Sequence, residues 1–255
     1  SNTAFAAILG DGSVVTWGCP ARGGDSSAVQ DKLYDVMQIQ AADSGFAALR
    51  EDGVVVSWGS LSGFSDSSSS SESDSYRNER ATGSIQNQIL DVREIQATRD
   101  AFAAIKEDGS VITWGALEAG GDSSLVHDQL RNVRQIQAAS WAFAALRSDG
   151  TVVTWGDSDL GGCSDAVQSK LKDVLYIKGC GEGFSAITAS GHVVSWGFED
   201  ENYWGRMPKI HNTMLTDVDQ FQGCGSSWAA VSKDGVLVAW DIYDPELRSM
   251  PGVAC

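Results

Sequence analysis

One fifteen-residue phrase returns six times along the chain, and that recurrence constrains the fold more than any other feature. The copies are AFAAILGDGSVVTWG from Ala4, GFAALREDGVVVSWG from Gly45, AFAAIKEDGSVITWG from Ala101, AFAALRSDGTVVTWG from Ala142, GFSAITASGHVVSWG from Gly183 and SWAAVSKDGVLVAWD from Ser227. Their Trp residues, Trp17, Trp58, Trp114, Trp155, Trp196 and Trp240, are spaced 41, 56, 41, 41 and 44 apart. A second element, LxxVxxIxA, precedes the phrase. Its Val stands at Val36, Val92, Val133, Val174 and Val218, always 10 residues before the motif aromatic, and the Trp follows that aromatic by 12. Only the stretch from a Trp to the next Val varies, at 19, 34, 19, 19 and 22 residues. A fixed period of this length is the signature of a repeat architecture.

Each unit reads as three short strands. VxxIxA is the first, FAAI the second and VVTW the third. Asp-Gly joins the last two at Asp11-Gly12, Asp52-Gly53, Asp108-Gly109, Asp149-Gly150 and Asp234-Gly235, with Ser190-Gly191 in the fifth unit. Such a pair supplies the positive φ that a hairpin needs. The central strand has small residues between larger apolar ones on both parities, so both of its faces expect a cover. Sheets stacked face to face around an axis satisfy that demand. The expectation is an all-β, closed β-propeller of six three-stranded blades forming a single domain over 1–255. The alternative is a seven-bladed ring with one blade missing from this chain. Met250-Pro251-Gly252-Val253 repeats the LxxV element, which places Val253 to Cys255 beside the strand of Phe5.

Composition narrows the partners. Lys plus Arg is 18 against 34 for Asp plus Glu, a formal charge of −16. Phosphate backbones and anionic lipid surfaces are repelled at that charge, so the expectation is no nucleic acid and no direct membrane insertion. No apolar run reaches the ~18 residues of a spanning helix. The chain begins at Ser1, which fits a removed leader or a longer polypeptide, and an organellar setting is compatible with that.

The unit (V)xxIxA…xFAAIxxDGxVVxWG…GG resembles the repeat of the regulator of chromosome condensation family. Its short period is similar to that of the propeller-type β-lactamase inhibitor protein and of dinoflagellate-type repeat arrays. The resemblance implies a propeller without intrinsic catalysis that acts by surface recognition, as a protein-binding scaffold. It also leaves open an accessory subunit of a large organellar, photosynthetic assembly, an inhibitor of a secreted hydrolase, and a guanine-nucleotide exchange factor. The acidic charge and the absence of a basic tail in these residues disfavour the last.

Candidate sites follow from departures within the repeat. The connection after Trp196, FEDENYWGRMPKIHN, replaces the polar GGDSS of its siblings with aromatics. Aromatics beside Arg are typical interface anchors, so Phe198, Tyr203, Trp204 and Arg206 are the expected protein-binding residues. Residues 61–84 form a Ser-rich acidic insertion that cannot pack, in which Ser69 and Ser71 each precede an acidic residue by three. Cys180 and Cys224 share one repeat position in successive units, which makes them the candidate disulfide pair if that position lies near the axis, the alternative being two small buried thiols. The six Trp read as core, and the Asp-Gly carboxylates as turn chemistry. His127, His192 and His211 stand in different units without ligand spacing. No catalytic residue, metal site or cofactor is expected. In the GGDSS connections, Ser is expected to cap a short helix, with Val29 and Leu33 facing the sheet.

Overall fold

The computed structural model describes residues 3–60, 89–197, 217–225 and 227–241, together with the backbone of 210–211 and 248–250. These gather into two compact units, Ser1–His127 and Asp128–Cys255. The first unit contains β1 (Ala4–Ile8) and β2 (Val14–Gly18), then β3 (Val36–Ala41), β4 (Gly45–Arg50) and β5 (Val55–Gly59), then β6 (Val92–Ala97), β7 (Ala101–Lys106) and β8 (Val111–Gly115). The second unit contains β9 (Val133–Ala138), β10 (Ala142–Arg147) and β11 (Val152–Gly156), then β12 (Val174–Cys180), β13 (Gly183–Thr188), β14 (Val193–Gly197) and β15 (Ile210–His211). It ends with β16 (Val218–Cys224), β17 (Ser227–Ser232), β18 (Leu237–Asp241) and β19 (Arg248–Met250). Each repeat forms one antiparallel sheet, six among the described residues.

The strands fall where the repeat places them, and the register is the same from sheet to sheet. Phe5 faces Trp17, as Phe46 faces Trp58, Phe102 faces Trp114, Phe143 faces Trp155 and Phe184 faces Trp196. Strand number differs from the uniform three. The first sheet holds two strands among the described residues, and the last two sheets add a short outer strand, β15 or β19. Met250 pairs with Leu237 in β18. Val253 to Cys255 lie outside the described residues.

Packing inside each unit explains the Ala-rich central strands. Ala4 and Val14 of the first sheet meet Phe46, Ala48, Val56 and Trp58 of the second. Ala47, Leu49 and Val55 on the reverse of that second sheet meet Phe102, Ala104, Ile112 and Trp114 of the third. In the other unit, Ala142, Ala144 and Leu146 meet Phe184, Ala186, Val194 and Trp196. Small side chains on one face thus receive a stacked Phe–Trp pair from the next sheet. The ring centroids of those pairs lie 5.3–5.4 Å apart at interplanar angles of 15–24° in sheets two to five. The sixth sheet substitutes Trp228 at the Phe position, and Trp240 stacks instead on Phe221 of β16, at 5.7 Å.

Two backbone devices recur that sequence reading missed. The residue before each Val, namely Asp35, Asp91, Asn132, Asp173 and Asp217, is left-handed, with φ between 49° and 58°. Asp and Asn tolerate that conformation best among non-glycine residues. Its carbonyl then accepts the N–H of the residue after the second strand, as in Glu51 to Asp35 at 2.8 Å and Ala189 to Asp173 at 2.7 Å. The signal was present as an Asp or Asn five times in front of Val. A bulge follows directly, where pairing skips one residue after the Val in β3, β6, β12 and β16, and Arg134 is skipped likewise in β9. The skipped Met37 and Leu175 are exposed as a result.

Candidate functional site

The Asp-Gly turns do more than reverse the chain. Only the Gly adopts positive φ, for example 78° at Gly12 and 79° at Gly150, so each is a turn closed by a left-handed Gly. The Gly carbonyl accepts the N–H of the next sheet's Val: Val36 to Gly12 at 2.9 Å, Val92 to Gly53 at 3.0 Å, Val174 to Gly150 at 2.9 Å. A Cβ on Gly12 would stand 3.0 Å from the Cα of Asp35. One end of each blade is therefore used to join neighbours. The Asp carboxylate stays within its own turn: Asp11 Oδ1 accepts from the Ser13 hydroxyl at 2.6 Å and its N–H at 3.0 Å, and Asp149 does the same with Thr151 at 2.6 and 3.0 Å. Side-chain and then backbone bonds from these partners hold Asp11, Asp108 and Asp149 below the ordinary carboxylate value.

The opposite end carries the start of each connection. After Trp155, residues Ser158–Gly162 form a single turn in which Gly161 takes φ 102°. A Cβ there would lie 2.8 Å from the Phe184 ring, and the Gly161 carbonyl accepts the Trp196 indole N–H at 3.1 Å. Gly23 repeats this toward Phe46, with Trp58 donating to its carbonyl at 3.0 Å. The Gly-Gly pair thus caps the next blade's aromatic pair. Where it is missing, the indole fares differently. Trp114 follows the Ser-rich connection, and its Nε1 has no partner among the described residues. Trp240 follows the aromatic connection and donates to the Ser185 hydroxyl at 3.2 Å.

The connections themselves are anchored by a polar chain. Thr154 and Ser164 hydroxyls lie 3.0 Å apart, Ser164 donates to Gln168 Oε1 at 2.8 Å, and Gln168 Nε2 donates to the Val152 carbonyl at 3.0 Å. Thr16, Ser26, Gln30 and Val14 repeat it. Ser is thus not the helix cap expected of it. The preceding Asp caps instead, with Asp25 accepting from the Ser27 N–H at 2.9 Å and Asp122 from Ser124 at 2.8 Å. The Ser is buried and better used against the Thr of the third strand. The short segments are 3-10 in geometry, and Leu33 and Val29 face the core as expected.

At this same end, the first unit gathers charge. Arg99 Nε stands 3.5 Å from Asp43 Oδ2, Arg22 donates to the Asp43 carbonyl at 3.4 Å, and the Asp43 N–H donates to the Arg99 carbonyl at 2.5 Å. Burial, then the Asp43 charge, pushes the neighbouring Asp100 carboxyl up. This ionic patch joins the loops between first and second strands, which carry Asp43, Arg99 and Asp100, to Arg22 of the connection after β2.

The expected anchors Phe198, Tyr203, Trp204 and Arg206, and the insertion 61–84, lie outside the described residues. Of the candidate pair, Cys180 is buried and Cys224 exposed. Among the described residues no group of three His, Cys, Asp or Glu stands close enough to hold a metal ion.

The antiparallel sheets with capped aromatic pairs are similar to the blades of β-propellers of the regulator of chromosome condensation type. Solved structures share the fold. The chain is similar to Prp20p of Saccharomyces cerevisiae, from a study of its binding to Gsp1p and histones, with 16% identity, a TM-score of 0.56, and 94% of this chain and 70% of that one covered. It is likewise similar to yeast RCC1 (Prp20) in complex with Kap60, at 17% identity, TM-score 0.57, covering 94% and 68%. Human WBSCR16 matches at 17% identity and TM-score 0.57 over 96% and 76%. No family description matches the sequence, and no curated protein matches it.

Proposed function

We propose that this chain is a non-enzymatic propeller that binds another protein, and that the partner presents a basic surface. The observation that supports it most is the division of labour within the repeat. Asp-Gly turns, left-handed Asp residues and Gly-Gly caps are spent on joining blades, whereas the connections after Trp58, Trp196 and Trp240 abandon the common pattern. Positions freed from packing are those on which a scaffold carries recognition. The charge of −16 selects the partner's sign, because complementary fields raise association rates and reject like-charged surfaces. Solved propellers of this fold bind proteins, namely Gsp1p, histones and Kap60 in the yeast case.

Within that reading Phe198, Tyr203, Trp204 and Arg206 are the contact residues, and the Ser-rich insertion 61–84 adds to the acidic charge that a basic partner would meet. The organellar-subunit and inhibitor readings are special cases in which the partner is respectively an assembly or a hydrolase. The exchange-factor reading competes with it, and a small GTPase nucleotide-release assay separates the two. The direct test is affinity capture from native extract at low salt followed by a salt gradient. Retained proteins of basic pI that elute as ionic strength rises support the proposal. Retention of acidic partners, or accelerated nucleotide release from a GTPase, refutes it.

A further inference from the structure

The hairpin turn of the fifth sheet departs from its siblings in chemistry. The residue before the turn glycine is Asp11, Asp52, Asp108, Asp149 or Asp234 in the other five, and Ser190 here. Two residues further on, where the siblings carry Ser13, Val54, Ser110, Thr151 and Val236, stands His192. The Ser190 hydroxyl and His192 Nδ1 lie 2.8 Å apart, and Thr188 Oγ1 lies 2.9 Å from the same Ser190 oxygen. Ser190 is exposed and His192 half-buried, so solvent and small solutes reach the pair.

The turn does not need this contact to close. In four siblings the Asp carboxylate accepts the N–H of the residue two positions on, at 3.0 Å for Asp11, 3.2 Å for Asp52, 2.9 Å for Asp108 and 3.0 Å for Asp149. In the fifth turn the corresponding N–H belongs to His192 and donates to Thr188 Oγ1 at 3.1 Å. Backbone bonds complete the turn: the Thr188 N–H to the His192 carbonyl at 3.0 Å, the Gly191 N–H to the Thr188 carbonyl at 2.9 Å, and the Ala189 N–H to the Asp173 carbonyl at 2.7 Å. Thr188 thus takes over the structural task, and the Ser190 hydroxyl is left to His192.

The three side chains form a row that accommodates a proton in either place. With Nδ1 unprotonated, Thr188 donates to Ser190 and Ser190 donates to His192. With a proton on Nδ1, His192 donates to Ser190, Ser190 to Thr188, and Thr188 to the His192 carbonyl at 3.3 Å. The proton of Ser190 can therefore pass to the imidazole while the heavy atoms stay in place. A hydroxyl within hydrogen-bond reach of a base that is itself held by a third group is the arrangement of an activated nucleophile.

We propose that Ser190 is an acyl-acceptor serine, which takes acyl groups from activated esters and thioesters with His192 as its base and Thr188 as the hydroxyl donor behind it. Ser190 Oγ attacks the carbonyl carbon of the donor and forms the new C–O bond, and its proton moves to His192 Nδ1. The bond from that carbon to the donor's phenolate or thiolate breaks, and the leaving group departs with the electron pair. The proton on His192 then goes to the leaving group or to water. The turn supplies the nucleophile and the base, and the donor's good leaving group supplies the rest, which restricts the substrate class to activated acyl compounds. The acylated hairpin stays closed, because Thr188 and not Ser190 holds the His192 N–H.

The test is acetylation by p-nitrophenyl acetate, read by mass spectrometry of the peptides. Ser148 is the internal standard: it is exposed in the hairpin turn of the fourth sheet, and its hydroxyl donates to the Asn132 carbonyl at 3.0 Å. Wild-type chain, His192→Phe and His192→Gln are compared, each folded and in denaturing urea, with urea midpoints confirming that the variants fold. The expected result is Ser190 acetylated about tenfold or more faster than Ser148 in the folded wild-type chain, and at about the Ser148 rate in both variants and in the unfolded chain. The inference is overturned if Ser190 and Ser148 react alike in the folded wild-type chain, which would reduce the Ser190–His192 contact to turn chemistry. It is equally overturned if the advantage of Ser190 survives loss of the imidazole or unfolding, because the assembled row would then not be its cause.

Discussion

Replacing Gly161 with Ala should cost far more stability than the one added methyl suggests. Gly161 has φ 102°, a conformation that L residues adopt at about 1–2 kcal/mol. The new Cβ would stand 2.8 Å from both Cδ2 and Cε2 of Phe184. That ring is fully buried and stacked on Trp196 at 5.4 Å, so it has nowhere to retreat. Overpacking of this kind adds about 1–3 kcal/mol. Any shift of the turn also loosens the 3.1 Å bond from the Trp196 indole to the Gly161 carbonyl, worth about 1 kcal/mol. The sum is about 3–6 kcal/mol, reduced where strain relief is shared among the three. Gly10→Ala is the control: nothing lies within 4 Å of its Cβ position and its φ is not positive, so that variant should be neutral or more stable by up to about 1 kcal/mol. Urea unfolding followed by tryptophan fluorescence measures both. If Gly161→Ala and Gly10→Ala differ by less than about 0.5 kcal/mol, the interlocking of Gly cap and Phe–Trp pair is wrong.

Further outcomes follow from the same contacts. Ser164→Ala leaves Thr154 and Gln168 without their shared hydroxyl at a buried position and should destabilise by about 1–3 kcal/mol, whereas exposed Ser158→Ala should change little, both read from urea midpoints. The turn aspartates Asp11, Asp108 and Asp149 have depressed folded-state values, so their contribution is present above the ordinary 3.8 and is lost as pH falls through the lower folded values. The triple Asp→Asn variant cannot protonate there, and its stability curve should be flatter than wild type on the acid side below about pH 4. An unchanged acid limb would remove these turns from the account.

The architecture was legible because three constraints repeat in one dimension: alternating apolar residues, a Gly-bearing turn and a Trp at fixed spacing. Each copy is a separate vote for the same strand boundaries, and the register of all six hairpins agrees with them. What the sequence left hidden was the pairing of partners across blades. The Gly-Gly pair reads as loop composition until the Phe184 ring and the Trp196 indole are seen against it. Ser26 reads as a cap because local rules rank Ser highly there, and only the Thr16 hydroxyl against it and the Asp25 carboxylate on the Ser27 N–H reassign the capping role to Asp. The outer strands Ile210–His211 and Arg248–Met250 were missed because they are two and three residues long and follow connections without hydrophobic alternation. The proposed binding residues stand out only as a departure from the repeat, since a recognition surface leaves no period of its own.

The central claim is that a protein partner is held through the aromatic connection while the blades hold themselves together. Isothermal titration of the captured partner into wild-type chain and into Tyr203→Ala/Trp204→Ala, alongside thermal melts of both, tests it most directly. The account predicts affinity weakened by about 30-fold or more, equivalent to about 2 kcal/mol, with an unchanged melting midpoint. Unchanged affinity with a large fall in the midpoint would contradict it, because the aromatics would then belong to the packing of the blades.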